Sequence, residues 1–168
     1  MSKQLTRYAL TFIVLLALQI LILNNIKLGG YINPYIYILF IMLLPFEIPG
    51  WLLLILGFLT GLTMDAFAGT LGMHSTATLF IAFLRPFILS NISTHESAEK
   101  KGSPSLNMKD VSWFIKYTFL IVIAHHFVLF YLETFSFAHF FSTLFRVILS
   151  SILTSFFIII SQFFIIRN

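Results

Sequence analysis

The residues of this chain that could do chemistry sit inside apolar stretches, where a charged or hydrogen-bonding group is costly and needs a reason to be there. His125, His126 and Glu133 share one such stretch. His126 and Glu133 are seven apart and fall on one helical face, but adjacent histidines project about 100° apart and make poor joint ligands. No His-Glu-x-x-His pattern occurs, nor a Gly-x-Ser-x-Gly nucleophile elbow, nor a Walker phosphate loop. The sequence has no Cys, so disulfides and thiolate metal sites are excluded. These residues carry no spaced signature of zinc, acyl-transfer or nucleotide chemistry. We expect no catalytic residues, no metal and no cofactor.

Two further patterns place polar residues on helical faces. Gly57, Gly61, Asp65 and Gly69 recur at four-residue spacing and line one slowly drifting face. Glycines at this spacing let another backbone approach closely. Asp65 on that face reads either as a capped acid in a helix-packing seam or as a dedicated binding group. The seam is a candidate structural or partner contact, with Gly72 just beyond it. Ser142, Thr143, Arg146, Ser150, Thr154 and Ser161 form a second stripe, within an arc of roughly 120°. Isolated hydroxyls in membrane helices usually bond their own backbone. Arg146 is different, because it keeps its charge and needs a partner, a cavity or a lipid headgroup.

The elements that must position these residues are membrane helices. Of the 168 residues, 59% are hydrophobic and 10% charged, and mean hydropathy is +0.98. A soluble domain is about half apolar and a quarter charged, and the excess is spread over the whole chain. We expect an all-α integral membrane protein of a single domain, 1–168, with spans near 8–23, 35–46, 51–68, 74–90, 113–131 and 138–166. The first block lacks a small-x-small cleavage site and reads as a retained helix. The second is short and bounded by Pro34, Pro45 and Pro49, so it reads as a short span or a partly re-entrant piece. The polar stretch 91–112 is too short for a domain and reads as a loop.

Six spans place both termini on one side, and the basic residues choose that side. Lys3, Arg7, Lys100, Lys101, Lys109, Lys116 and Arg167 fall together with Arg85 near them, whereas Lys27 alone is basic on the opposite side. The termini and the 91–112 loop are therefore expected in the cytoplasm. The net charge of +4 is topological and not a nucleic-acid patch. Asp65 and Arg146 then share the outer leaflet. We expect them to interact directly or through water, alone or in a network with His126 and Glu133. The alternative is that Arg146 reaches lipid phosphate while Asp65 binds loop amides.

Three segments resemble a known family: Leu-Asn-Asn-Ile-Lys-Leu-Gly-Gly-Tyr-Ile-Asn-Pro at 23–34, Leu-Pro-Phe-Glu-Ile-Pro-Gly-Trp at 44–51, and Gly-Leu-Thr-Met-Asp-Ala-Phe-Ala-Gly-Thr-Leu-Gly-Met-His at 61–74. The chain resembles the rod shape-determining MreD family, most specifically in Gly-x-x-x-Asp followed by Leu-Gly, and in its first half up to Arg85-Pro86. The resemblance implies a fold similar to the substrate-binding subunit of energy-coupling-factor vitamin transporters. It implies a non-enzymatic scaffold of the bacterial cell-elongation complex in the cytoplasmic membrane. Its partners would be MreC above all, then MreB, RodZ, RodA and a class B penicillin-binding protein, besides membrane lipid. A vitamin-uptake subunit of the same fold is the alternative. It predicts an outer pocket for which Asp65, His74, His126 and Arg146 are candidate lining residues.

Overall fold

The computed structural model of the chain describes residues 2–26, 31–92, 102–106, 111–135 and 139–166. The described residues are helical with no strand. Five helices are long and apolar enough to cross a membrane: α1 (Ser2–Leu21), α3 (Gly50–Ala68), α4 (Met73–Ile92), α5 (Val111–Thr134) and α6 (Phe140–Ile166). Each overlaps one of the expected apolar blocks, with α1 beginning six residues earlier than the block at 8–23. The basic residues Lys27, Lys100, Lys101, Lys109 and Arg167 lie outside the described residues, as does most of 91–112.

The distribution of side chains is that of a protein in lipid. Phe83 and Phe87 of α4, Phe119 and Phe127 of α5, and Phe145 and Phe156 of α6 point outward. Gln19, Thr78, Arg85, His125, His126, Ser150 and Thr154 are buried. Water would favour the reverse arrangement, whereas hydrocarbon leaves apolar groups on the outside and requires polar groups to find partners inside. Helices α3 to α6 pack in chain order, each on the next, and α1 packs on α3 and on the second apolar block.

The second block, expected as a short span or a partly re-entrant piece, does not form one continuous helix over 35–46. Only a 3₁₀ turn, Ile36–Ile38, and the short helix α2 (Leu39–Leu43) form. Eight helical residues cover ~14 Å, about half the hydrocarbon thickness. The prolines set both limits. Pro34 precedes the turn, and Leu44, directly before Pro45, is extended at φ −59°, ψ 150°, because the proline ring disfavours helical backbone in the residue before it. The block is nevertheless the centre of the molecule, with Tyr37, Ile38, Ile41 and Met42 wholly buried. Residues 31–46 run through the bundle from one end, where Tyr31 Oη donates to Ser142 O at 2.6 Å, to the other, where Phe46 N–H donates to Gly102 O at 2.8 Å.

Candidate functional site

The α3–α4 elbow shows why Gly-x-x-x-Asp-x-x-x-Gly-x-x-Gly carries these residues. Helix α3 ends at Gly69, whose left-handed backbone (φ 68°) lets its N–H reach Asp65 O. Gly72 is also left-handed, at φ 78°. The chain turns back within four residues, and the Asp65 carboxylate meets the start of α4. It accepts from the N–H groups of His74 and Ser75, both at 2.9 Å, and from Thr70 Oγ1 at 2.7 Å, with Ser75 Oγ as a fourth donor. The first amides of a helix lack intrahelical acceptors, so an acid from the preceding helix serves as the N-cap of the next. A carboxylate at that position also opposes the positive end of the helix dipole.

Gly61 makes the elbow possible. A Cβ there would lie 2.4 Å from His74 O and from Ser75 Cα, and one at Gly57 would lie 2.7 Å from Ala82 Cβ. The glycine seam is therefore filled by α4 of the same chain. Of the two readings of Asp65, the capped acid in a packing seam is the one its contacts describe.

The direct pair expected between Asp65 and Arg146 is not formed. Both Asp65 oxygens are occupied by α4 amides and hydroxyls. Arg146 instead pairs with Glu133 of α5, Nη1 to Oε2 at 2.8 Å. Its Nε donates to Tyr31 O at 3.2 Å, its guanidinium lies 4.1 Å over the Phe130 ring, and Nη2 donates to the Asn33 amide oxygen at 2.8 Å once that amide is oriented to satisfy both its ends. Glu133 on the adjacent helix takes the arginine, while the Asp65 oxygens are filled by the elbow.

Five of the remaining buried side chains, Gln19, Arg85, Tyr117, Ser150 and Thr154, serve the backbone of residues 31–46. Non-helical backbone at membrane depth is tolerated only where protein satisfies its N–H and C=O groups. Ser150 Oγ accepts from Asn33 N–H at 3.2 Å, and Thr154 Oγ1 from Tyr35 N–H at 3.1 Å. Gln19 of α1 brackets Pro34, with Nε2 donating to Pro34 O at 3.0 Å and Oε1 accepting from Ile36 N–H at 2.8 Å. At the other end Arg85 reaches past α2, donating to Leu44 O and, at 3.3 Å, to Pro45 O, while Tyr117 Oη donates to Met42 O at 3.1 Å. Arg85 Nε donates to Tyr117 Oη at 3.1 Å. The hydroxyl stripe on α6 thus divides. Ser142 and Ser161 donate to the backbone carbonyls three residues back, His139 O and Ile158 O, whereas Ser150 and Thr154 hold the buried segment.

A ring cluster fills the middle. Tyr37 Oη lies 2.8 Å from His125 Nε2, 3.0 Å from His74 Nδ1 and 3.3 Å from Thr78 Oγ1. His126 Nδ1 bonds Val122 O at 2.9 Å, which fixes Nε2 as the acceptor for Thr154 Oγ1 at 3.1 Å. Among the described residues no three His, Asp or Glu side chains are placed to hold a metal. His74 and Tyr35 also face a cavity of about 380 Å³ at the Tyr31 end, with Asn24, Asn33 and Thr70 as further polar walls. Of the four candidates for such a pocket only His74 lines it; Asp65, His126 and Arg146 are committed elsewhere.

Gln19, Tyr37, Arg85 and Tyr117 were not among the sequence candidates. The available signal was their polarity within apolar blocks, combined with a proline-bounded segment too short to span as a helix. No family model, no curated protein and no solved structure matches the chain.

Proposed function

We propose that this chain is a non-enzymatic scaffold of the bacterial cell-elongation complex, similar to MreD, in the cytoplasmic membrane. The observation that carries the reading is the set of three resembling segments, 23–34, 44–51 and 61–74. The positions they contain are architectural. Asn24 accepts from Gln19 Nε2 at 2.9 Å, Pro45 ends α2, and Gly61, Asp65, Gly69 and Gly72 build the α3–α4 elbow. Such residues suit a rigid membrane body that partners grip, and the committed hydrogen bonds around Asp65 and His126 suit structure better than turnover.

In this reading residues 31–46 count as the second of six crossings, both termini are cytoplasmic, and the fold is that of the vitamin-transporter substrate-binding subunit. MreC is the principal partner, meeting helix faces other than the filled α3 seam. MreB, RodZ, RodA and a class B penicillin-binding protein join through the same complex. Co-purification of the tagged chain from mild detergent should recover a bitopic MreC-like protein, and depletion should round the cells. Recovery of no such protein, with cell shape unchanged, would exclude the scaffold.

The cavity of about 380 Å³ favours one second reading, a vitamin-uptake subunit. Its walls combine neutral hydrogen-bonding groups with Leu23, Pro34, Phe67 and Ala68, so it would take an uncharged polar ring system. Saturable binding of a vitamin to the purified protein, abolished by His74→Leu, would select this reading over the scaffold.

A further inference from the structure

At the end of the bundle opposite Tyr31, helices α1 and α6 part around a second cavity, of about 440 Å³. Arg7 and Tyr8 of α1, Ser103 of the 102–106 segment and Gln162 of α6 form its walls over a floor of Phe40 and Leu43. Among the described residues no carboxylate lines it, and Arg7 has no acidic partner. Gln162 is 2% exposed and its amide Nε2 has no hydrogen-bond partner there. A buried amide without a partner is costly, and it borders the same space as the exposed Arg7 guanidinium, which has no acidic partner among the described residues. Such a pair of donors suits a tetrahedral oxyanion, which accepts from several directions and matches the guanidinium fork. The apolar floor suits a ligand whose anion is joined to hydrocarbon. Val14 and Leu18, on the same helical face as Arg7, are exposed and continue the path along α1.

We propose that this cavity binds a phosphate group, presented by a phospholipid of the adjoining leaflet, with Arg7 and Gln162 holding the phosphate and the acyl chains lying along α1. The same oxyanion chemistry would accept free phosphate, and the test separates the two sources. The inference rests on membrane embedding and is independent of the cell-shape reading.

The test titrates the full-length protein in mild detergent with dioctanoyl phosphatidic acid, with dioctanoylglycerol, which lacks the phosphate, and with inorganic phosphate, read by native mass spectrometry. Phosphatidic acid should bind at one saturable site and dioctanoylglycerol should not. Failure of inorganic phosphate to displace the lipid assigns the site to lipid phosphate; displacement at comparable concentration assigns it to the free anion. Arg7→Gln should weaken binding about fivefold, the worth of one basic residue at an anionic surface. Gln162→Leu should weaken it as well, and Lys116→Gln, at an exposed basic residue of α5, should not. Gln162→Glu keeps the side chain's shape and sets a carboxylate against the phosphate, so it too should weaken binding. The proposal fails if neither phosphate probe binds, if both cavity positions tolerate change, or if Lys116→Gln weakens binding as much as Arg7→Gln.

Discussion

The Asp65 carboxylate lies 2.9 Å from the backbone N–H of Ser75, and this bond ties the last turn of α3 to the first turn of α4. A second amide, two hydroxyls and the close approach at Gly61 act on the same elbow. The elbow is thus fixed by four hydrogen bonds to one carboxylate.

Removing the acid should expose that dependence. Asp65→Ala leaves two α4 amides and two hydroxyls without their acceptor, and we expect a loss of about 3 kcal/mol. Asp65→Asn, which keeps one acceptor oxygen, should lose about half as much. Thermal unfolding of the purified variants in detergent, followed by size-exclusion chromatography, measures both. Equal stability of Asp65→Ala and the native chain would refute the capping role.

Gly61→Ala should destabilise at the upper end of the overpacking range, about 3 kcal/mol, because its Cβ would meet backbone atoms that cannot rotate away. Gly57→Ala, which first meets the Ala82 methyl, should cost less. Gly50→Ala, with open space around it, is the control and should be neutral or nearly so. The yield of monodisperse protein ranks the three. Gly61→Leu should lose folded protein, rather than lose partner binding with normal folding.

Arg146 and Glu133 should be coupled in a double-mutant cycle. Glu133 is partly exposed, so the coupling is small, about 1 kcal/mol. The exchange of charges between Asp65 and Arg146 should give purely additive damage, because neither residue contacts the other. Recovery in that double mutant would contradict the arrangement found here.

Arg85→Lys should cost about 2 kcal/mol even though the charge is kept. One ammonium cannot serve Leu44 O, Pro45 O and Tyr117 Oη in the geometry of the planar guanidinium. Gln19→Leu should cost a similar amount, by leaving Pro34 O and Ile36 N–H unpaired inside the bundle. Stability of either variant within about 0.5 kcal/mol of the native chain would mean that the buried segment has other support.

Five of the helices were readable from hydropathy, because lipid imposes a length and an apolarity on each span that local sequence must meet by itself. The Gly57–Gly69 face was readable for the same reason: it is a pattern within one helix. Its two interpretations were not separable there, since a seam facing α4 and a seam facing another protein demand the same small residues. The choice of Glu133 over Asp65 as the partner of Arg146 had no local signal either. It depends on α5 and α6 lying side by side while α4 stands between α3 and α5.

By itself the sequence determined an all-helical membrane chain, its polar stripes and the break at Pro34, Pro45 and Pro49. Only the tertiary structure decided what the stripes are for. Residues 31–46 are too short as a helix to satisfy their own backbone across the bundle, so Gln19, Arg85, Tyr117, Ser150 and Thr154 come from four other helices to do so. Hydropathy registers the burial of each side chain one position at a time. A hydrogen bond between a side chain and a backbone more than a hundred residues away, as between Ser150 and Asn33, exists only once packing has brought both to one place.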